Sequence, residues 1–174
     1  MPKIINDLRE TLYAETRRQL NTVGYSELTM RSIAKGCGIA VGTLYNYFPS
    51  KEYLVGCVVL EDWTGFYGQM ERGVDRAQSV QEGVGLIYGQ LLDFIRLYDP
   101  LFRSDPGALK ISTYSDRHQV LLKEIRELLC RLTERFDLQP EPFTLTFLAE
   151  SILRCCIKPY SYEELWPVFR KILL

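Results

Sequence analysis

The chain holds a single histidine, His118, and that scarcity excludes any metal centre built from several imidazoles. Its five cysteines, at 37, 57, 130, 155 and 156, are odd in number and widely scattered. None is spaced as CxxC, so neither a zinc site nor a disulfide framework is expected, and the adjacent Cys155 and Cys156 read as reduced thiols. No long apolar run exists: the longest, YLVGCVVL at 53–60, is far short of the roughly 20 residues that cross a bilayer. The opening MPKIINDLRE is charged and lacks the apolar core of a signal peptide, so the expectation is a cytoplasmic chain with no membrane partner. Nucleophile elbow, phosphate loop and paired metal ligands are all missing. The chain is therefore not expected to be an enzyme, and no catalytic residue, cofactor or metal ligand is assigned. Net charge is nearly absent too, at −1 from 21 Lys/Arg against 22 Asp/Glu. A globally basic nucleic-acid binder is excluded, whereas a local binding surface is not.

Apolar residues are plentiful, at 47% of 174, enough for one globular unit or two closely packed ones. They recur at steps of three and four, the period of amphipathic helices, and no stretch alternates between turns as a strand would. A first helix carries Ile5, Leu8, Leu12, Leu20 and Val23, with Gly24 as its stop. Further helices are expected from Lys51 to about Met70, from Val80 to just before Pro100, and through Leu121 to Phe136. Two more run from about Pro142 to Ile157 and from Tyr162 to Leu173. The fold class is all-α.

Between the first helix and Lys51 lies LTMRSIAKGCGIAVGTLYNYF. Thr29 is a plausible N-cap for a short helix over Met30–Gly36. Ala34 is small enough for a second helix to cross closely, and Gly38, four residues on, suits a left-handed turn. Ile39 and Leu44 then supply apolar residues to close over the first helix. That order is the pattern of a helix-turn-helix, whose second helix enters the DNA major groove. With Leu44 and Phe48 pointing inward, Thr43, Tyr45 and Tyr47 offer hydroxyls to phosphates or base edges. Gly42 permits close approach of the backbone, and Lys51 presents a cation at a helix N-terminus.

GYSELTMRSIAKGCGIAVGTLYNYFPSKEYL resembles the helix-turn-helix signature of TetR-family (tetracycline-repressor-like) transcriptional regulators. The similarity runs through Gly24, Tyr25, Leu28, Thr29, Ile33, Ala34, Gly38, Gly42, Thr43, Leu44, Tyr45, Tyr47, Phe48, Ser50, Lys51, Glu52 and Leu54, about the first third of the chain. It implies an all-α homodimer with a three-helix DNA-binding domain over 1–50 and a larger helical effector-binding and dimerisation domain over 51–174. It also implies that Thr29 and Lys51 touch phosphate, that Arg31 reaches a base or phosphate, and that Val41, Gly42, Thr43, Tyr45 and Tyr47 form the reading surface. Ala40 departs from the family's usual serine or threonine, which removes an N-cap. Gly36 departs from a charged residue and should loosen the helix end by about 1 kcal/mol relative to alanine.

Beyond residue 54 the resemblance is only helical character. Trp63, Phe66, Tyr67, Tyr88, Phe94, Tyr98, Phe102 and Tyr114 concentrate where family members hold an effector, and they are the candidate lining for a small apolar or aromatic molecule. Phe143, Phe147, Ile152, Leu165, Trp166, Phe169 and Ile172 on the last two helices are the candidate dimer interface. The expected function is that of a homodimeric repressor, bound to double-stranded operator DNA and released by that effector. A regulator with no small-molecule effector, constitutive or controlled by a protein partner, is the other reading.

Overall fold

The computed structural model of the chain describes residues 2–104, 114–158 and 160–174, with side chains described for 8–101, 119–158 and 160–174. Among the described residues there are eight α-helices and no strand: α1 Pro2–Glu27, α2 Met30–Gly36, α3 Val41–Tyr47, α4 Lys51–Arg76, α5 Val80–Ser104, α6 Tyr114–Arg135, α7 Pro142–Ile157 and α8 Tyr162–Leu173. The chain divides into two compact units. One holds the described part of Met1–Asp62 and Tyr98–Thr113, the other that of Trp63–Leu97 and Tyr114–Leu174.

Local chemistry sets the helix ends. Gly24 lies at φ 78, outside the helical region, and bends α1 in its last turn. Thr29 caps α2 and Ser161 caps α8, each through a reciprocal capping box, and Pro142 opens α7 where a missing N–H costs nothing. Pro100, however, does not end α5, which runs on to Ser104. A proline inside a helix costs about 3 kcal/mol. Here the Tyr98 hydroxyl donates to Asp62 Oδ2, and both Tyr98 and Leu101 are buried, which holds the backbone in its helical course.

The first unit closes on Leu12, Leu28, Ile33, Leu44, Phe48, Leu54 and Val58, all essentially without exposure. Arg17 of α1 reaches α4 with two bonds, to Glu61 and, at 2.7 Å, to Asp62 Oδ1. The second unit closes on Met70, Ile87, Leu91, Ile125, Leu128 and Leu129, with α6 packed on α7 and α7 on α8. Arg131 of α6 binds Glu71 at 2.9 Å and Asp75 at 2.7 Å, and Arg135 donates to the Val74 carbonyl at 2.5 Å. Tyr88 of α5 donates to the Tyr160 carbonyl at 2.7 Å, while Tyr162 donates to the Gln81 carbonyl at 2.5 Å. Together these two hydroxyls pin the start of α8 to α5.

Gly83 sits where α5 lies close against α6. A Cβ there would stand 2.3 Å from Leu132 Cδ1 and 2.7 Å from its Cδ2, on a leucine that is fully buried. Gly83→Ala is therefore expected to lower stability by ~1–3 kcal/mol, as overpacking does, despite alanine's better helix propensity. Urea unfolding followed by circular dichroism would check it, a midpoint equal to or above the parent's being the contrary result.

Candidate nucleic-acid interface

The candidate surface is assembled from the end of α1 onward. Thr29 Oγ1 accepts from Ser32 N at 3.0 Å, and Ser32 Oγ accepts from Thr29 N at 3.2 Å. The Ser32 hydroxyl also donates to Gln19 Oε1 at 2.6 Å, and Gln19 Nε2 donates to Glu15 Oε1 at 2.6 Å. Glu15 is gripped on its other side by Arg18, and Arg18 first, then Gln19, holds its carboxyl down at about 2. This chain of polar bonds fixes the start of α2 to α1. Gly36 belongs to the same arrangement: a Cβ there would lie 2.0 Å from Glu15 Oε1. The glycine that reads as a weak helix end is the place where Glu15 lies against α2.

The turn is closed by backbone bonds. Gly38, at φ 67, donates to the Lys35 carbonyl at 3.2 Å, and Ile39 donates to Ala34 at 3.0 Å. That pair is a Schellman motif, and the left-handed residue it requires is glycine at little steric cost. α3 then follows Ala40, its N-cap, which offers no side-chain cap, as its sequence suggests. Leu44 and Phe48 are its inward residues, at 0% and 2% exposure, and the Phe48 ring lies 5.9 Å from that of Tyr13 on α1.

The outward residues fall together. Val41, Gly42, Tyr45 and Tyr47 are exposed on α3, Thr43 is half-buried, and Thr29 and Arg31 are exposed at the start of α2. A Cβ at Gly42 would meet nothing within 4 Å, so this face of α3 stands open. The Thr29 hydroxyl spends its acceptor on Ser32, and no described residue accepts its proton.

Lys51 is differently placed from a loose surface lysine. Its ammonium donates to the Tyr25 carbonyl at 3.1 Å and lies 4.1 Å from the centre of the Tyr25 ring. Tyr25 OH in turn donates to Glu52 Oε1 at 3.3 Å. Glu52 is held below the usual carboxylate range by its own backbone N–H, then by Ser50 and Tyr25. The lysine thus caps the bent end of α1 with part of its donor capacity and stands half-buried beside α3. Nothing in the sequence pattern signals this second task, because it depends on the bend at Gly24.

The other candidate residues divide. Trp63 and Phe94 meet edge to face at 5.0 Å, Phe66 meets Phe94 at 5.5 Å, and Tyr67 lies 6.4 Å from Trp63. Trp63 Nε1 donates to Glu124 Oε2 at 2.5 Å. Tyr88 is not part of this group: it stacks on Tyr162 at 6.0 Å, beside the start of α8. Tyr98 belongs to the first unit, on Asp62. The side chains of Phe102, Tyr114 and His118 lie outside the described residues. Of the candidate interface, Ile152 and Phe169 are buried within this chain and Leu165, Trp166 and Ile172 half-buried, whereas Phe143 and Phe147 are 76% and 49% exposed. Val168 and Ile157, which the apolar pattern does not single out, are exposed as well. Burial pushes the thiols of Cys155 and Cys156 up, which does not favour a reactive thiolate. Among the described residues no helix is long and apolar enough to cross a membrane, and no cluster of His, Cys, Asp and Glu could hold a metal ion.

Residues 12–56, from α1 to the first turns of α4, match the model of the bacterial regulatory proteins of the tetR family. Over that segment, about a quarter of the chain, the protein is similar to the tetR family. It is 32% identical over 85 residues to the HTH-type transcriptional regulator UidR of Escherichia coli (strain K12), a match covering 49% of this chain and 36% of UidR. It is 28% identical over 88 residues to the HTH-type transcriptional regulator EthR of Mycolicibacterium smegmatis, covering 48% of this chain and 41% of EthR. The chain thus spans well under half the length of these two relatives. Over its whole length it superposes on a TetR-family transcriptional regulator from Pectobacterium atrosepticum with a TM-score of 0.71 at 17% identity, covering 100% of this chain and 98% of that one. This likeness shows the shared all-α fold.

Thr29→Ala removes the cap on α2 and leaves the Ser32 N–H without its acceptor. A loss of about 1 kcal/mol in stability is expected, to be measured by denaturant titration. Thr29→Ser, which keeps the oxygen, should restore most of it.

Proposed function

We propose that the protein is a sequence-specific DNA-binding transcriptional regulator, acting in the cytoplasm as a homodimeric repressor that a small molecule releases from its operator. The observation that carries this reading is the division of α3. Leu44 and Phe48 anchor it while Val41, Gly42, Tyr45 and Tyr47 face outward, with Thr29 and Arg31 nearby. An exposed row of hydroxyls and rings on a seven-residue helix serves no core, and it suits a major groove. Thr29 and Lys51 are assigned to phosphate, Arg31 to phosphate or a base, and Val41, Gly42, Thr43, Tyr45 and Tyr47 to the reading surface.

Operator affinity should fall steeply with salt, as phosphate contacts release counterions. Tyr47→Ala, at an exposed position, should weaken operator binding with little change in unfolding midpoint. Fluorescence anisotropy on a palindromic site selected from random DNA would test this, and unchanged affinity would remove Tyr47 from the surface.

Dimerisation is assigned to the exposed face of α7 and α8. Phe143 and Phe147 stand one turn apart with rings 6.5 Å apart, and Ile157 continues the same stripe. Large apolar side chains left in the open on one stripe are what a second subunit would cover. Phe147→Glu is expected to give a folded monomer in sedimentation, because the position is exposed within its own chain. Phe169→Glu should instead unfold the protein, because Phe169 is core. A dimer surviving Phe147→Glu would place the interface elsewhere.

Effector release is assigned to the rings of Trp63, Phe66, Tyr67 and Phe94. α4 is one unbroken helix that carries both Lys51 and Trp63. A ligand seated against Trp63 could therefore shift the helix that starts beside the reading surface. Two recognition helices read a palindrome only at a separation of roughly 34–36 Å. Coupling of ~1–3 kcal/mol, common for allostery, would lower operator affinity about 5- to 150-fold.

A further inference from the structure

Gln90 stands on α5 three residues after Ile87 and four before Phe94, so it shares their stripe of the helix. Ile87 and Phe94 are buried, at 0% and 4% exposure. Gln90 Oε1 is also sealed from solvent, and it is the one buried side-chain nitrogen or oxygen without a hydrogen-bond partner among the described residues. Such an atom in a native fold calls for an explanation, because an unpaired buried carbonyl gives up its hydration for nothing.

No described side chain supplies it with a donor. Trp63 Nε1 is committed to Glu124 and Tyr88 OH to the Tyr160 carbonyl. Phe94, one turn further along the same stripe, meets Trp63 and Phe66 edge to face. A single trapped water explains the site poorly, since buried waters typically make about three hydrogen bonds and no other buried side-chain nitrogen or oxygen among the described residues lacks a partner.

We propose that Gln90 Oε1 is the polar reader of the effector, accepting a hydrogen bond from a neutral ligand that has an apolar or aromatic body and one donor. The proposal rests on the effector reading above and narrows it. The body lies against Phe66 and Phe94, and the donor, a hydroxyl or ring N–H, meets the amide carbonyl. An anion is disfavoured because the Glu124 carboxylate already faces Trp63 in the same ring cluster. Such a site discriminates sharply, because an analogue without the donor leaves the carbonyl as unpaired as before.

The test uses the full chain and three pairs of probes that differ in the donor: indole and 1-methylindole, phenol and anisole, decanol and its methyl ether. Each is titrated by calorimetry and by thermal melting. The donor member of a pair should bind wild type about tenfold more tightly than its methylated partner, the effect of roughly one buried hydrogen bond. Gln90→Leu, of similar size, should erase that preference and raise the melting temperature of the unliganded protein by a few degrees. Gln90→Met serves as a second variant should leucine pack badly. Pairs that bind wild type equally, or a preference that persists in both variants, would overturn the role of Gln90 and leave the effector reading standing. A raised melting temperature in Gln90→Leu without any donor preference in wild type would assign the carbonyl to a solvent molecule and equally overturn the proposal. Binding of no probe at all would remove the effector reading itself.

Discussion

Everything proposed for the N-terminal unit depends on the burial of Leu44 and Phe48. A helix of seven residues has no stability of its own in water, because nucleation costs more than its few hydrogen bonds return. α3 exists because these two side chains are buried, Phe48 beside the Tyr13 ring of α1, and because Gly38 lets the chain turn tightly enough to deliver them. The polar run from Glu15 through Gln19 to Ser32 fixes α2 in turn, so the position of α3 is inherited from α1 through both apolar and polar contacts. A surface made this way is anchored on its inner side and open where it faces out.

The legible parts of the fold are those governed by local rules. Thr29, Gly38 and Ser161 carry capping or turn chemistry that acts within a few residues, and the bounds of α2, α7 and α8 follow the pattern closely. Pro100 shows the limit of such rules. It marks a helix end by its own chemistry, yet a hydroxyl bond from Tyr98 to a carboxylate 36 residues earlier keeps α5 going. Gly36 is a second case. Its local cost is visible, whereas its reason, the Glu15 side chain, lies on another helix.

Apolar spacing also tells which residues seek cover without telling what covers them. Ile152 and Phe169 have the same periodic signature as Phe147, but the first two are consumed by their own chain and the third is not. The aromatic cluster divides for a similar reason. Trp63, Phe66, Tyr67 and Phe94 share one crossing of α4 and α5, while Tyr88 serves the start of α8 through a stack and a hydroxyl bond. Gln90 could not be found from the sequence at all, because whether its buried carbonyl meets a donor is decided by packing between helices.

The open face of α3 has an evolutionary consequence. Val41, Gly42, Tyr45 and Tyr47 contribute little to the hydrophobic core, and a Cβ at Gly42 has empty space around it. Substitutions there are nearly neutral for folding, since exposed positions away from caps and cores usually shift stability by less than about 0.5 kcal/mol. If these positions read DNA as proposed, descendants of this chain can drift in the sequence they read while the scaffold stays intact, and gene duplication followed by divergence at these four positions would yield paralogues with separate targets and a shared architecture.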